Sequence, residues 1–189
     1  MSGVQTPTEP ILHHTPHFVL RSLEARDASR DWGAWLNDAD TANLLNSKPR
    51  EITYDERLKY IARAAEQKLY LWGIFEKASD EMIGLWSIYV DPKAREYLLN
   101  VLIGPNSARN QGALTETRDF IYQYFFETLD LMAARCTVVG HNEYMIRRQK
   151  RRGWVHEHTS QKASAQGDKS IDILHYRLPR EVWRKLDAP

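Results

Sequence analysis

The chain has 189 residues, with 26 basic and 25 acidic side chains for a net charge of +1, and 11% of its residues are aromatic. That length suits one domain with a substantial core, and the aromatic content is too high for a chain disordered throughout. The charge balance lacks the basic excess of a dedicated nucleic-acid binder. No apolar run approaches the roughly 20 residues of a membrane helix. No basic stretch followed by an apolar core opens the chain, so no secretory signal is expected. The one cysteine, Cys136, cannot form an intramolecular disulfide, which fits a reducing compartment. A soluble, cytoplasmic protein is expected.

Residues 1–16 carry three prolines and no period, and predict a flexible N-terminal arm ahead of a domain over 17–189. His13, His14 and His17 have no acidic or Cys partner nearby in sequence, so no metal site is expected. "HFVLRSLEARD" predicts a strand over about 17–23. "DASRDWGAWLND" predicts a helix with Asp27 as N-cap and Trp32, Trp35 and Leu36 on one face. A short second helix is expected around Asp40 to Leu45. Thr53 and Glu56 form a capping-box pattern, and Leu58, Ile61, Ala62 and Ala65 a core-facing stripe behind it.

"LYLWGIFEKASDEMIGLWSIYVD" reads as a hairpin turning at "KASDE", and "EYLLNVLIG" as a fourth strand. A polar turn follows, "SARNQG", then a helix from about Leu114 to Leu129 with Leu114, Ile121, Tyr124 and Phe125 inward. "ARCTVVG" is a fifth strand, "NEYMIRRQKRR" a helix stopped at Gly153, and "WVHEHTS" and "SIDILHYRL" two last strands. Hairpins followed by a strand–helix–strand crossover predict one mixed α/β sheet with helices on both faces.

The turn before the long helix is the candidate site. A helix start exposes unpaired N–H groups and the positive end of its dipole, so a turn wrapped onto it can hold a phosphate. Gly112 allows close approach, and Arg109 and Gln111 add donors. It is neither a Walker loop nor a Rossmann fingerprint.

In its place after the fourth strand, Arg109-Asn110-Gln111-Gly112-Ala113-Leu114 resembles the Q/R-x-x-G-x-G/A signature of the GNAT family of N-acetyltransferases. "LRSLEARDASRDWGAWLNDADT" and "GIFEKASDEMIG" resemble the branch that includes ribosomal-protein and spermidine acetyltransferases. So do Asn142, Gly153 and Trp154 downstream, and the Gly167, Asp172 and Tyr176 close. The resemblance spans about residues 18–178 and implies a sheet of about seven strands, splayed between the fourth and fifth.

It further implies acetyl-CoA as acyl donor and no metal. The pyrophosphate would lie on Arg109 to Leu114, and the pantetheine arm along Leu102 and Ile103, with Asn142 and Gln149 nearby. The acceptor would be a primary amine: a protein N-terminus, a polyamine, an amino sugar or another small amine. The branch leaves room for a homodimer and implies neither membrane nor nucleic-acid binding. Leu114 stands where Gly or Ala is usual, Leu98 where a proton-relaying Glu is frequent, and Gln149 where a Tyr acid is frequent. His141, Glu143 and Tyr144 are therefore the expected catalytic residues, with histidine suited to the base role. The alternative is a CoA-binding protein with weak or no catalysis. The cations Arg147, Arg148, Lys150, Arg151 and Arg152 read as a solvated helix face, a site for the CoA 3′-phosphate, or an RNA-facing surface.

Overall fold

The structure, a computed structural model, describes residues 10–66, 69–109, 111–167 and 169–186. Thirteen regular elements follow in chain order: β1 (Leu12–His14), β2 (Phe18–Ser22), α1 (Ala39–Leu44), α2 (Tyr54–Glu66), β3 (Leu69–Glu76), β4 (Met82–Asp91), β5 (Glu96–Ile103), α3 (Ala113–Gln123), β6 (Ala133–Val139), α4 (Glu143–Arg151), β7 (Val155–Ala163), β8 (Ser170–Pro179) and α5 (Arg180–Leu186). They build one eight-stranded mixed sheet in the order β1-β2-β3-β4-β5-β6-β8-β7. Every pairing is antiparallel except β5 with β6.

The core lies in two layers, one on each face, because strand side chains alternate. Trp72, Ile74, Trp86, Ile88, Tyr97 and Leu99 join Ile121, Phe125 and Phe126 under α3. Leu71, Phe75, Met82 and Leu85 join Trp32, Trp35 and Ile61 under α2. The expected capping box forms: Thr53 N–H donates to Glu56 Oε2 at 2.9 Å, and Glu56 N–H to Thr53 Oγ1 at 3.3 Å. The stripe behind it is shifted, since Ala62 is exposed and Ala64 packs inward with Leu58 and Ile61.

Several expectations are corrected or extended. The arm predicted through residue 16 is ordered at its end, because β1 pairs with β2. His13 there stacks on Phe120 at 4.0 Å, and Glu116 accepts from the Thr15 hydroxyl at 2.7 Å and the His17 N–H at 3.1 Å. Residues 1–9 of that arm lie outside the described residues. β1 also raises the strand count from seven to eight.

The helix expected at 27–38 is two 3-10 segments, Ala25–Ser29 and Asp31–Asn37. Gly33 presses its backbone on the start of α2, where a Cβ would lie 1.8 Å from Arg57 Nη1 and 2.2 Å from the Ile52 carbonyl. Asp27 is no N-cap; its carboxylate accepts from the Glu24 N–H at 2.9 Å and from both terminal nitrogens of Arg21 at 2.8 and 2.7 Å. The long helix leaves α geometry after Gln123 and ends in a π-helical turn, Tyr124–Thr128. Finally, α5 is an element the sequence reading did not include; its Trp183 packs tilted against Phe126, ring centroids 5.1 Å apart.

Candidate active site

β5 and β6 are paired only at Glu96–Ala133, Tyr97–Ala134 and Leu98–Arg135. Beyond that point the strands part. β5 stays paired with β4 up to Ile103, so its other edge from Leu99 onward faces a gap. The gap is the opening of a cleft of about 890 Å³ that passes through the sheet. Its lining includes Leu99, Val101, Cys136 and Val138 from one face and Asn100, Leu102, Thr137 and Val139 from the other. An unpaired strand edge offers alternating N–H and C=O groups to an extended partner.

The cradle stands at the wide end. Gly112 is the N-cap of α3 at φ 90°, ψ −6°, and its carbonyl accepts from the Thr115 and Glu116 N–H groups at 2.8 and 3.0 Å. Arg109, Gly112, Ala113 and Leu114 line the cleft. Gln111 does not; its side chain donates to the Ser107 carbonyl at 2.7 Å. Asn110 lies outside the described residues. Arg109 turns toward α1, where it donates to Thr41 Oγ1 and lies 3.8 Å from Asp38 Oδ1. Leu114, only partly buried, packs against the α3-side core.

From Ile103 back to Leu99 is four steps of extended strand, roughly 13 Å. An extended ligand held at the turn before α3 and lying along the free edge of β5 would reach the point where the strands part. Leu102, Ile103, Asn142 and Gln149 all line that path. Asn142 is also the N-cap of α4, its side chain accepting from Met145 N–H at 3.1 Å. Buried Gln149 donates to Cys136 Sγ at 3.1 Å. Burial pushes the Cys136 thiol up to about 12.

His141, Glu143 and Tyr144 line the cleft too, but at the other end of β6. Cys136 to Val139 alone spans about 10 Å of strand, which puts all three at the mouth. His141 Nε2 lies 3.3 Å from the Asn43 carbonyl after α1, and Glu143 pairs with Arg147 at 2.7 Å. Tyr144 is exposed.

Other groups lie along or beside the cleft; sequence reasoning names Arg148 and Arg152 only within the basic run of α4 and misses Arg118, Thr137 and His175. Arg118 on α3 and Arg148 and Arg152 on α4 line the cleft. Their signal was ambiguous, since a cation on an amphipathic helix ordinarily reads as solvent-facing. Thr137 also lines it, and its cross-strand partner is His175. His175 Nε2 is 2.8 Å from Ser160 Oγ, and the ring stacks on His158 at 4.1 Å. Burial, then His158, Arg135 and Lys162, lower its pKa below the ordinary 6.5 against the opposing Glu157. Its signal, a polar residue on an alternating strand, is carried by any solvent-facing position.

Among the described residues no group of three or more His, Cys, Asp or Glu could hold a metal ion, and no helix is long and apolar enough to cross a membrane.

The fold as a whole is similar to that of solved acetyltransferases. The ribosomal-protein-S5-alanine acetyltransferase of Vibrio fischeri superposes with a TM-score of 0.76 at 11% identity, over 92% of this chain and 98% of that one. The spermidine N-acetyltransferase of Vibrio cholerae, solved with CoA and spermine, gives 0.75 at 17% identity, over 88% and 98%. A GNAT-family acetyltransferase of Bacillus anthracis gives 0.73 at 15% identity, over 90% and 99%. At these identities the likeness is one of fold. No curated protein matches the chain. The family model described as an acetyltransferase (GNAT) domain matches residues 17–155, and the chain accordingly belongs to the GNAT acetyltransferase family.

Proposed function

We propose that the protein transfers an acetyl group from acetyl-CoA directly to a primary amine. The observation that carries this reading is the unpaired edge of β5, which runs from the cradle at Gly112 to the point where β5 and β6 part. The residues present fit such a donor. Arg109, Gly112, Ala113 and Leu114 would hold its phosphates, and the β5 edge at Leu102 and Ile103 its amide-bearing arm, with Asn142 beside it. When bound, the donor supplies an activated acyl group on a thiol leaving group. An alkyl thiol titrates near 8.5, so it can depart as thiolate. The loss of a Tyr acid at Gln149 is therefore tolerable.

The thiol inventory supports direct transfer. Cys136 is the only cysteine in the chain, and its raised pKa leaves it protonated and non-nucleophilic. It cannot carry the acyl group between donor and acceptor.

The acceptor approaches on the α2 side. The loop after α1 closes over the β7–β8 hairpin there, Asn46 Nδ2 donating to the Ala163 carbonyl at 3.1 Å and Asn46 Oδ1 accepting from Ala165 N–H at 2.8 Å. Glu96 and Glu157 on that side are already paired with Arg135 and Arg177, and among the described residues Glu143 is the only carboxylate lining the cleft. A polycation finds little free negative charge, so a peptide N-terminus or a singly charged small amine fits better than a polyamine.

The amine must lose a proton before attack. His141, with Glu143 and Tyr144 beside it, takes that proton through water from the mouth. The second candidate is His175, across from Thr137, which its lowered pKa leaves neutral at pH 7. Loss of the acidic limb of kcat/KM in H141Q or in H175Q assigns the base.

The test of the function is calorimetry with acetyl-CoA, then thiol release with Ala-initiated peptides, amino sugars and spermidine. Binding in roughly the 1 μM–1 mM range usual for KM, with turnover on one amine class, is the expected result. Binding without turnover would favour the non-catalytic reading. No binding at about 1 mM would end both.

A further inference from the structure

The turn between β1 and β2 rests on the first turn of α3, and three donors meet one carboxylate there. The Thr15 hydroxyl donates to Glu116 Oε2 at 2.7 Å and the His17 backbone N–H to the same oxygen at 3.1 Å. The His17 ring reaches Glu116 Oε1 through Nδ1 at 2.7 Å. An ionised carboxylate only accepts, so Nδ1 carries the hydrogen. The turn is itself braced: Thr15 N–H donates to the Phe18 carbonyl at 2.9 Å, Phe18 N–H to Thr15 Oγ1 at 3.0 Å, and Lys77 Nζ to the Thr15 carbonyl. Burial pushes the Glu116 pKa up, but the bonds from His17 and Thr15 hold it below the ordinary 4.5. The nearest cation on α3, Arg118, is paired with Asp119 instead.

Glu116 does not line the cleft. It stands just behind the lining, its Oε1 3.8 Å from where a Cβ on Gly112 would lie. A carboxylate in the first turn and a bound anion are drawn to the same positive helix end, and they repel each other. Left bare, Glu116 would oppose a phosphate at the Gly112 turn. The chain keeps the carboxylate and surrounds it with donors from the far end of the sequence. The His17 side chain is 75% exposed and that of Glu116 20%, so the contact buries little of the histidine; its effect is on the charge. We propose that His17, with Thr15, is a positioning residue for the donor: it masks Glu116 and holds it off the start of α3, and so sets the affinity of the Gly112 turn for an anion. This rests on the reading that the cleft takes a CoA thioester. It gives the β1–β2 turn a part in donor binding, although among the described residues no residue before Thr41 lines the cleft.

The experiment is calorimetry of CoA with wild type, H17A, E116Q and H17A/E116Q, at low salt and at about 1 M, where the screening length falls to about 3 Å. His17 is exposed, so H17A leaves packing alone, and glutamine keeps the shape of Glu116 and can still accept from Thr15. At low salt H17A should bind CoA about threefold to tenfold more weakly than wild type. E116Q should bind at least as tightly as wild type, and H17A/E116Q should bind like E116Q, because no charge is left to mask. High salt should shrink the loss in H17A. A contact that merely braces the fold gives a different pattern: removing the charge does not restore what the missing histidine took away. An H17A loss that persists in H17A/E116Q, or one that is unchanged at high salt, therefore overturns the proposal, as does H17A that binds like wild type. Each of these leaves the donor reading intact. Wild type that does not bind CoA removes the donor reading itself, and the mask with it.

Discussion

Replacing Gly112 with alanine tests whether the cradle depends on backbone conformation alone. A Cβ there would meet nothing closer than Glu116 Oε1, at 3.8 Å, so steric collision contributes no cost. The cost is the φ of 90°, which strains an L-residue by about 1–2 kcal/mol. Alanine also narrows the unfolded ensemble, which returns about 0.4–1 kcal/mol. The net loss is about 1 kcal/mol. For a chain of this size that lowers Tm by about 2–4 °C, provided the folded backbone keeps its shape. If the backbone rotates instead to relieve the strain, the first N–H groups of α3 turn away from the donor. The same 1 kcal/mol then appears as an approximately fivefold rise in the Kd for acetyl-CoA. Thermal melts and calorimetry on G112A would show the loss in one quantity or divided between them. G112N, whose side chain tolerates positive φ, should lose less in both. A G112A protein that melts and binds like wild type would refute the reasoning.

Three further outcomes are expected. Asp27 has a side chain 1% exposed and takes the Arg21 fork and Arg30 Nε, so D27N strands buried Arg21 and should cost about 3–5 kcal/mol in urea unfolding. Burial pushes the Asp27 pKa up, but Arg21, the Glu24 N–H and Arg30 together hold it below the ordinary 3.8. Its stabilisation is therefore present above that value and lost as pH falls through the folded pKa, an acid limb that D27N should flatten. Thr117 Oγ1 accepts from Trp86 Nε1 at 3.0 Å and donates to the Ala113 carbonyl at 2.7 Å; T117V leaves a buried indole N–H unpaired and should cost about 1–3 kcal/mol by the same assay. Cys136, its thiol held near 12, should resist iodoacetamide at pH 8 in the native protein and react in urea, and equal labelling rates would contradict its burial.

What could be read from the sequence was local. The Thr53–Glu56 box spans three residues and forms as read, and the turn at Gly112 announces itself because one residue must take positive φ. What could not be read depends on distant partners. Residues 25–37 carry helical apolar spacing, but Arg57 from α2 takes the carbonyls of Ala28 and Ile52, and Ile52 N–H reaches Gly33 O at 3.0 Å, so the chain winds as 3-10 turns. β1 has three residues and no alternation of its own; it exists because β2 and α3 hold it. Arg118 illustrates the same limit within the cleft. Its spacing on α3 says only that a cation lies on a helix, and its burial, with the side chain only 7% exposed, is decided by the fold around it.

The residues read from local motifs as chemical turn out to share another task. Arg109, from the cradle, is held by Thr41 and Asp38 at the start of α1, where Asp38 already accepts from the Thr41 N–H at 2.8 Å. His141, from the opposite lip, reaches the Asn43 carbonyl near its end. α1 has only six residues, too few to be stable alone, and it forms one wall of the cleft through Thr41 and Leu44. Both lips thus fix the same short helix. The turn before α3 and the α1 wall are one connected structure, so under the proposed function a substitution at Arg109 should disturb acceptor affinity as well as donor affinity. The groups nearest the parting of β5 and β6, by contrast, come from β6, α3, α4 and β8, elements that meet only in the folded chain. The reacting end of the cleft is for that reason the part that sequence spacing reveals least.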